Sequence, residues 1–154
     1  MTEVFFSAVA NIFVPINFLL MAIGVTLGIL VGCLPGLTAT MALAILVPFT
    51  FTMDAIPALM TLGGIYMGAM YGGSISAILV NTPGTPSAIA TTFDGFPLAK
   101  KGMAQHALVT SAFGSTMGGI FGALCLLVLT PLLASVALKF GPPEYFWMAI
   151  FGLT

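Results

Sequence analysis

The run AIPALMTLGGIYMGAMYGGSISAILV, residues 55–80, leads directly into NTPGTPS, residues 81–87, and these two segments together decide the fold. The first holds 26 residues without a charge, which as a helix measures about 39 Å against a hydrocarbon core of roughly 30 Å. It predicts a membrane-spanning helix, opened by Asp54 and Pro57, residues suited to a first turn. The second holds two prolines and a glycine, which interrupt regular helix and leave backbone groups in need of other partners. Inside a membrane such a break is tolerated only where protein or a cavity surrounds it.

Working outward, residues 16–34 supply 19 uncharged residues and predict a first span. A break at 35–38, Pro35-Gly36-Leu37-Thr38, follows, and then an apolar piece at 41–53 that is too short to cross and reads as a half-helix or re-entrant segment. Beyond the second break, at 81–87, residues 88–93 are a short apolar piece. Asp94-Gly95-Phe96-Pro97 reads as a turn and Lys100-Lys101-Gly102 as a polar loop. Residues 104–138 predict the longest helix, bent or divided near Thr130-Pro131. Gly141-Pro142-Pro143 reads as a turn, followed from Glu144 by an incomplete helix with Tyr145, Phe146 and Trp147 as an interfacial anchor. Only about ten residues follow, or 15 Å of helix, so the chain is expected to be part of a longer protein.

Composition agrees: 60% of residues are apolar and 5% charged, against roughly 25% charged in soluble proteins. The cations are Lys100, Lys101 and Lys139, with no arginine, and the acids are Glu3, Asp54, Asp94 and Glu144. No basic stripe exists for nucleic acid. Cys33 and Cys125 lie in apolar runs without metal or redox spacing and read as buried free thiols. Met1-Thr2-Glu3 lacks the positive start of a cleaved leader. The lysine pair places the 100–102 loop in the cytoplasm, with Lys139 on the other side if 104–138 crosses once. The expected fold is an all-α integral membrane protein, a polytopic helical bundle with Pro/Gly-broken or re-entrant half-helices.

Three runs carry glycine every fourth residue: Gly24, Gly28 and Gly32; Gly64, Gly68 and Gly72; Gly114, Gly118 and Gly122. Each set lies along one helix face and predicts close helix packing, or smooth seams along which helices slide. Met60, Met67, Met70, Tyr66 and Tyr71 read as packing around a glycine face.

Paired interruptions of hydrophobic segments are the sequence mark of a transporter's binding site, although Pro-Gly breaks also serve as plain interhelical turns. The candidate substrate and ion ligands are Pro35, Gly36, Thr38 and Thr40 at the first break, and Asn81, Thr82, Pro83, Gly84, Thr85, Pro86 and Ser87 at the second. Half-helix N-termini favour anions and freed carbonyls favour cations such as sodium. Asp94 reads either as an interfacial turn residue or as an ion-coupling carboxylate. Lys100 and Lys101 read as topology anchors and His106 as an interfacial residue. Ser74, His106, Asp54 and Asp94 are the raw material for a hydrolase, but no nucleophile and base stand at usable spacing, so no enzyme is expected. An ion channel or a structural assembly subunit are the alternatives to a transporter.

Gly28-Ile29-Leu30-Val31-Gly32-Cys33-Leu34-Pro35-Gly36-Leu37 and Gly64-Ile65-Tyr66-Met67-Gly68-Ala69-Met70-Tyr71-Gly72-Gly73-Ser74-Ile75 resemble the large membrane subunit of tripartite tricarboxylate transporters. Asn81-Thr82-Pro83-Gly84-Thr85-Pro86-Ser87 and Asp94-Gly95-Phe96-Pro97 continue the likeness in order. The resemblance implies that residues 1–154 are the N-terminal part of a single transmembrane permease domain in the bacterial inner membrane. It further implies a small membrane subunit and a periplasmic substrate-binding protein as partners, carboxylate import driven by an ion gradient, Na+ or H+ as coupling ion, and no other cofactor. Thr38 stands where the family often has glycine, and Cys33 at a usually aliphatic position; neither removes the break.

Overall fold

The computed structural model describes residue 7 and residues 9–153; the reading of Met1, Thr2 and Glu3 lies outside them. The chain forms two compact units, Met1–Phe113 and Gly114–Thr154. Among the described residues the longer elements are all helical: α1 (Pro15–Gly32), α2 (Ala39–Thr50), α3 (Ala55–Val80), a 3-10 turn (Pro86–Ala88) running straight into α4 (Ile89–Lys100), α5 (Ala104–Ala137) and α6 (Pro142–Leu153). Three of these, α1, α3 and α5, are long and apolar enough to cross a membrane. The protein is an all-α, multi-pass membrane protein.

The first two glycine runs meet each other. A Cβ on Gly24 would stand 2.5 Å from the Thr61 carbonyl oxygen, and on Gly28 and Gly32 it would overlap the carbonyls of Ile65 and Ala69. From the other side, a Cβ on Gly64 would stand 2.7 Å from the Met21 carbonyl and on Gly72 2.5 Å from that of Ile29. Backbone therefore touches backbone along the whole seam, the arrangement that stabilises helices in lipid, where apolar transfer adds nothing. The register also fixes direction. Residues 24, 28 and 32 lie level with 61, 65 and 69, so α1 and α3 run parallel and α2 must carry the chain back between them.

The short length of α2, 12 residues or about 18 Å, suits that return. Its Ala39 and Ala42, 4% and 0% exposed, pack with Ile65 and Ala69, and Leu43, Leu46 and Leu62 close the edges. Small residues let α2 lie close to α3, which fixes the height at which it begins. It starts at Ala39, two residues before the apolar run suggested, because Thr38 caps it: Met41 N–H donates to Thr38 Oγ1 at 3.3 Å.

Several expectations are corrected here. Asp94-Gly95-Phe96-Pro97 is not a turn but lies inside α4. Gly95 is buried against α3, where a Cβ would come 2.7 Å from Ile78 Cγ1, so a packing contact outweighs the Asp-Gly turn tendency. The chain turns instead at Lys101-Gly102, Gly102 having φ +80°. The second break is also shorter than 81–87, since Pro86 and Ser87 already belong to a helical turn that tolerates proline at its start.

Pro131 does not divide α5, which is continuous from Ala104 to Ala137; Thr130 Oγ1 donates to the Leu126 carbonyl. Pro142 and Pro143 open α6 rather than preceding it, and Gly141 N–H donates to the Glu144 carboxylate at 2.8 Å. Cys33 and Cys125 are free but only half-buried. The third glycine run does not repeat the close contact of the others: among the described residues nothing lies within 4 Å of a Cβ at Gly114, Gly118 or Gly122.

Candidate functional site

Two helix beginnings meet halfway along α3. The first is that of α2, whose Thr38, Ala39 and Thr40 face Tyr66 and Met70. The second is reached by an excursion of the chain. After α3 ends at Val80, with Asn81 in the left-handed region at φ 56°, residues 82–85 fold back until Gly84 and Thr85 lie against Gly73. Ser87 Oγ then lies 3.9 Å from Met70 Sδ, and α4 climbs again to place Gly95 beside Ile78. The second break is thus a re-entrant dip, and α2 and α4 leave this level in opposite directions.

Between them is an open cavity of about 310 Å³ lined by Thr38, Ala39, Thr40, Tyr66, Met70, Thr85, Pro86 and Ser87, a size within the range of small-molecule sites. Thr38 Oγ1 and Thr40 Oγ1 are 2.8 Å apart on one wall, and Thr85 Oγ1 and Ser87 Oγ are 3.2 Å apart on the other. In the first pair one hydroxyl donates to its neighbour, which leaves one O–H for a ligand; in the second the Ser87 O–H donates to Met70 Sδ at 3.9 Å, a weak bond that a ligand would have to displace. Met41 N–H is taken by Thr38 Oγ1, Ala88 N–H by the Thr85 carbonyl and Ile89 N–H by the Pro86 carbonyl, while each helix N-terminus carries a partial positive charge. Together they favour an anion without a lysine or arginine.

Among the described residues no cluster of three or more His, Cys, Asp or Glu forms a metal site.

Residues 18–154 match the family described as Tripartite tricarboxylate transporter TctA family. The chain belongs to this family. A curated relative from Agrobacterium vitis, "Uncharacterized 52.8 kDa protein in TAR-I ttuC' 3'region", is 50% identical over 139 residues, 90% of this chain and 28% of the relative. The chain therefore spans little more than a quarter of that relative's length. No solved structure matches it.

In this TctA-family chain the structure gathers Thr38 and Thr40 from the first break and Thr85, Pro86 and Ser87 from the second around one cavity. It does not bring the other candidates to the cavity wall. Pro35 and Gly36 form the exposed turn before α2, and Asn81 and Thr82 are exposed at the far end of α3, the Thr82 hydroxyl donating to the Val80 carbonyl at 3.3 Å. Pro83 is half-buried and Gly84 is buried against Gly32 and Gly73, and Asp94 is exposed on α4. Sequence reasoning placed Tyr66 and Met70 in packing, whereas both line the cavity. Their spacing of four is the one signal that would have found them, since it puts them on one face of α3, half-way along it.

Proposed function

We propose that this chain is part of the permease subunit of a binding-protein-dependent secondary transporter that imports tricarboxylates or related carboxylates. A single observation carries the reading: two oppositely directed half-helices aim their N-termini at one hydroxyl-lined cavity midway along a spanning helix. Positive helix ends directed at anionic groups are how transporters hold carboxylates without burying a cation. Family membership supports the same reading and, with it, a small membrane subunit, a periplasmic binding protein and a location in the bacterial inner membrane. An ion gradient, of Na+ or H+, drives accumulation, and one helical unit moving against another exposes the cavity to each side in turn.

The test is uptake of labelled citrate and other carboxylates by cells expressing the complete permease with its companion subunits. Thr38→Ala and Thr85→Ala are each expected to raise KM by about tenfold, the loss of a hydrogen bond to a charged group. Accumulation that needs an ion gradient would support the reading. Wild-type KM in both variants would take the carboxylate site away from this cavity.

A further inference from the structure

Thr85 is only 3% exposed although it borders an open cavity, because its hydroxyl, methyl and amide nitrogen all lie close against Gly73 of α3. A Cβ on Gly73 would stand 2.6 Å from Thr85 Oγ1, 2.9 Å from its amide nitrogen and 3.1 Å from its Cγ2. The Gly73 carbonyl accepts from Gly84 N–H at 3.5 Å and from the Ser76 hydroxyl at 3.0 Å. Gly84 is held as closely: a Cβ there would overlap the Gly32 carbonyl and stand 3.0 Å from Gly73 Cα and 3.2 Å from Ser76 Oγ. Ser76 is itself 4% exposed. Neither Gly73 nor Ser76 borders the cavity.

We propose that the Gly73–Ser76 step of α3 is the positioning element of the carboxylate site, seating Gly84 so that the Thr85 hydroxyl is held against Ser87 and toward the ligand. The inference rests on the carboxylate reading above and extends it to residues that never touch the substrate. Its physical basis is that a hydroxyl serves an anion only at hydrogen-bond distance and angle. The re-entrant segment has too few backbone bonds of its own to set that geometry, and α3 sets it by leaving space where any side chain would stand. A methyl group at position 73 must displace Thr85, since the nearest atoms include its backbone.

The experiment measures labelled-citrate uptake by the complete permease with its companion subunits, at quantified membrane levels, for Gly73→Ala, Thr85→Ala, the double variant and Gly63→Ala. Gly63 lies on the same helix with nothing within 4 Å and controls for an added methyl. Gly73→Ala is expected to raise KM by about tenfold, the cost of one misplaced hydrogen bond to a charged group, with Vmax per permease molecule near wild type and Gly63→Ala unchanged. Because Gly73 acts through Thr85, the double variant should match Thr85→Ala rather than add to it. Additive effects, or a wild-type KM for Gly73→Ala, would overturn the inference. If Gly73→Ala does not reach the membrane, Ser76→Ala is measured in its place: a severalfold rise in KM supports the seat, and no rise overturns it. A wild-type KM for Thr85→Ala would overturn the inference alone, and a wild-type KM for Thr38→Ala as well would remove the carboxylate reading with it.

Discussion

Thr38 shows how much one side chain does here. Its oxygen caps α2 through the Met41 amide and pairs with Thr40 at the cavity, so it both starts the half-helix and equips its N-terminus. A glycine at this position would cap almost as well but would bring no hydroxyl to the cavity. Asp94 behaves differently. The sequence allowed it a coupling role, yet it is exposed on α4 and does not line the cavity. Asp94→Asn is therefore expected to leave the KM for citrate within about twofold of wild type, as for a surface change away from packing or charge partners; a tenfold rise would mean that the carboxylate reaches the site. Lys100 extends over the Phe96 ring at 4.8 Å, a contact that holds the end of α4 next to the lysine pair read as a cytoplasmic marker.

Among the elements, α1 and α3 form the frame on which the rest is hung. Their seam is backbone on backbone, so a single methyl has nowhere to go. Gly28→Ala, which would drive a Cβ into the Ile65 carbonyl and to 2.9 Å from the Ala69 amide nitrogen, is expected to destabilise by about 1–3 kcal/mol, as overpacking does. Gly63→Ala on the open side should be neutral or slightly stabilising, alanine being the better helix former. Thermal unfolding of the purified complete permease in detergent measures both, and equal midpoints would mean that the seam yields. The two seams were legible as glycine spacing, because period and face follow from helix geometry alone. That they pair with each other, in parallel, was not, since three similar runs offered three possible pairings. The Asp-Gly-Phe-Pro stretch was misread for a related reason: local turn preference is worth little against a glycine face packed on Ile78.

For the whole molecule, the lysine pair beside Gly102 predicts that this loop faces the cytoplasm. A cysteine placed at Gly102, in an otherwise cysteine-free permease, should resist an impermeant thiol reagent in intact cells and react in inside-out vesicles; labelling from outside would reverse the orientation. The parallel α1 and α3, the returning α2 and the dip at residues 82–87 together bring two breaks, far apart in sequence, to one height. By itself the sequence determined that the chain is a helical membrane protein, where its long apolar helices lie and that two Pro-Gly stretches interrupt them, because composition, length and periodicity act locally. Only the tertiary structure decided that the breaks share a cavity, that Tyr66 and Met70 border it while Asn81 does not, and that Gly84 and Thr85 lie against Gly73. Those outcomes depend on which helix faces approach within backbone contact, and that is settled by packing between segments rather than within any one of them.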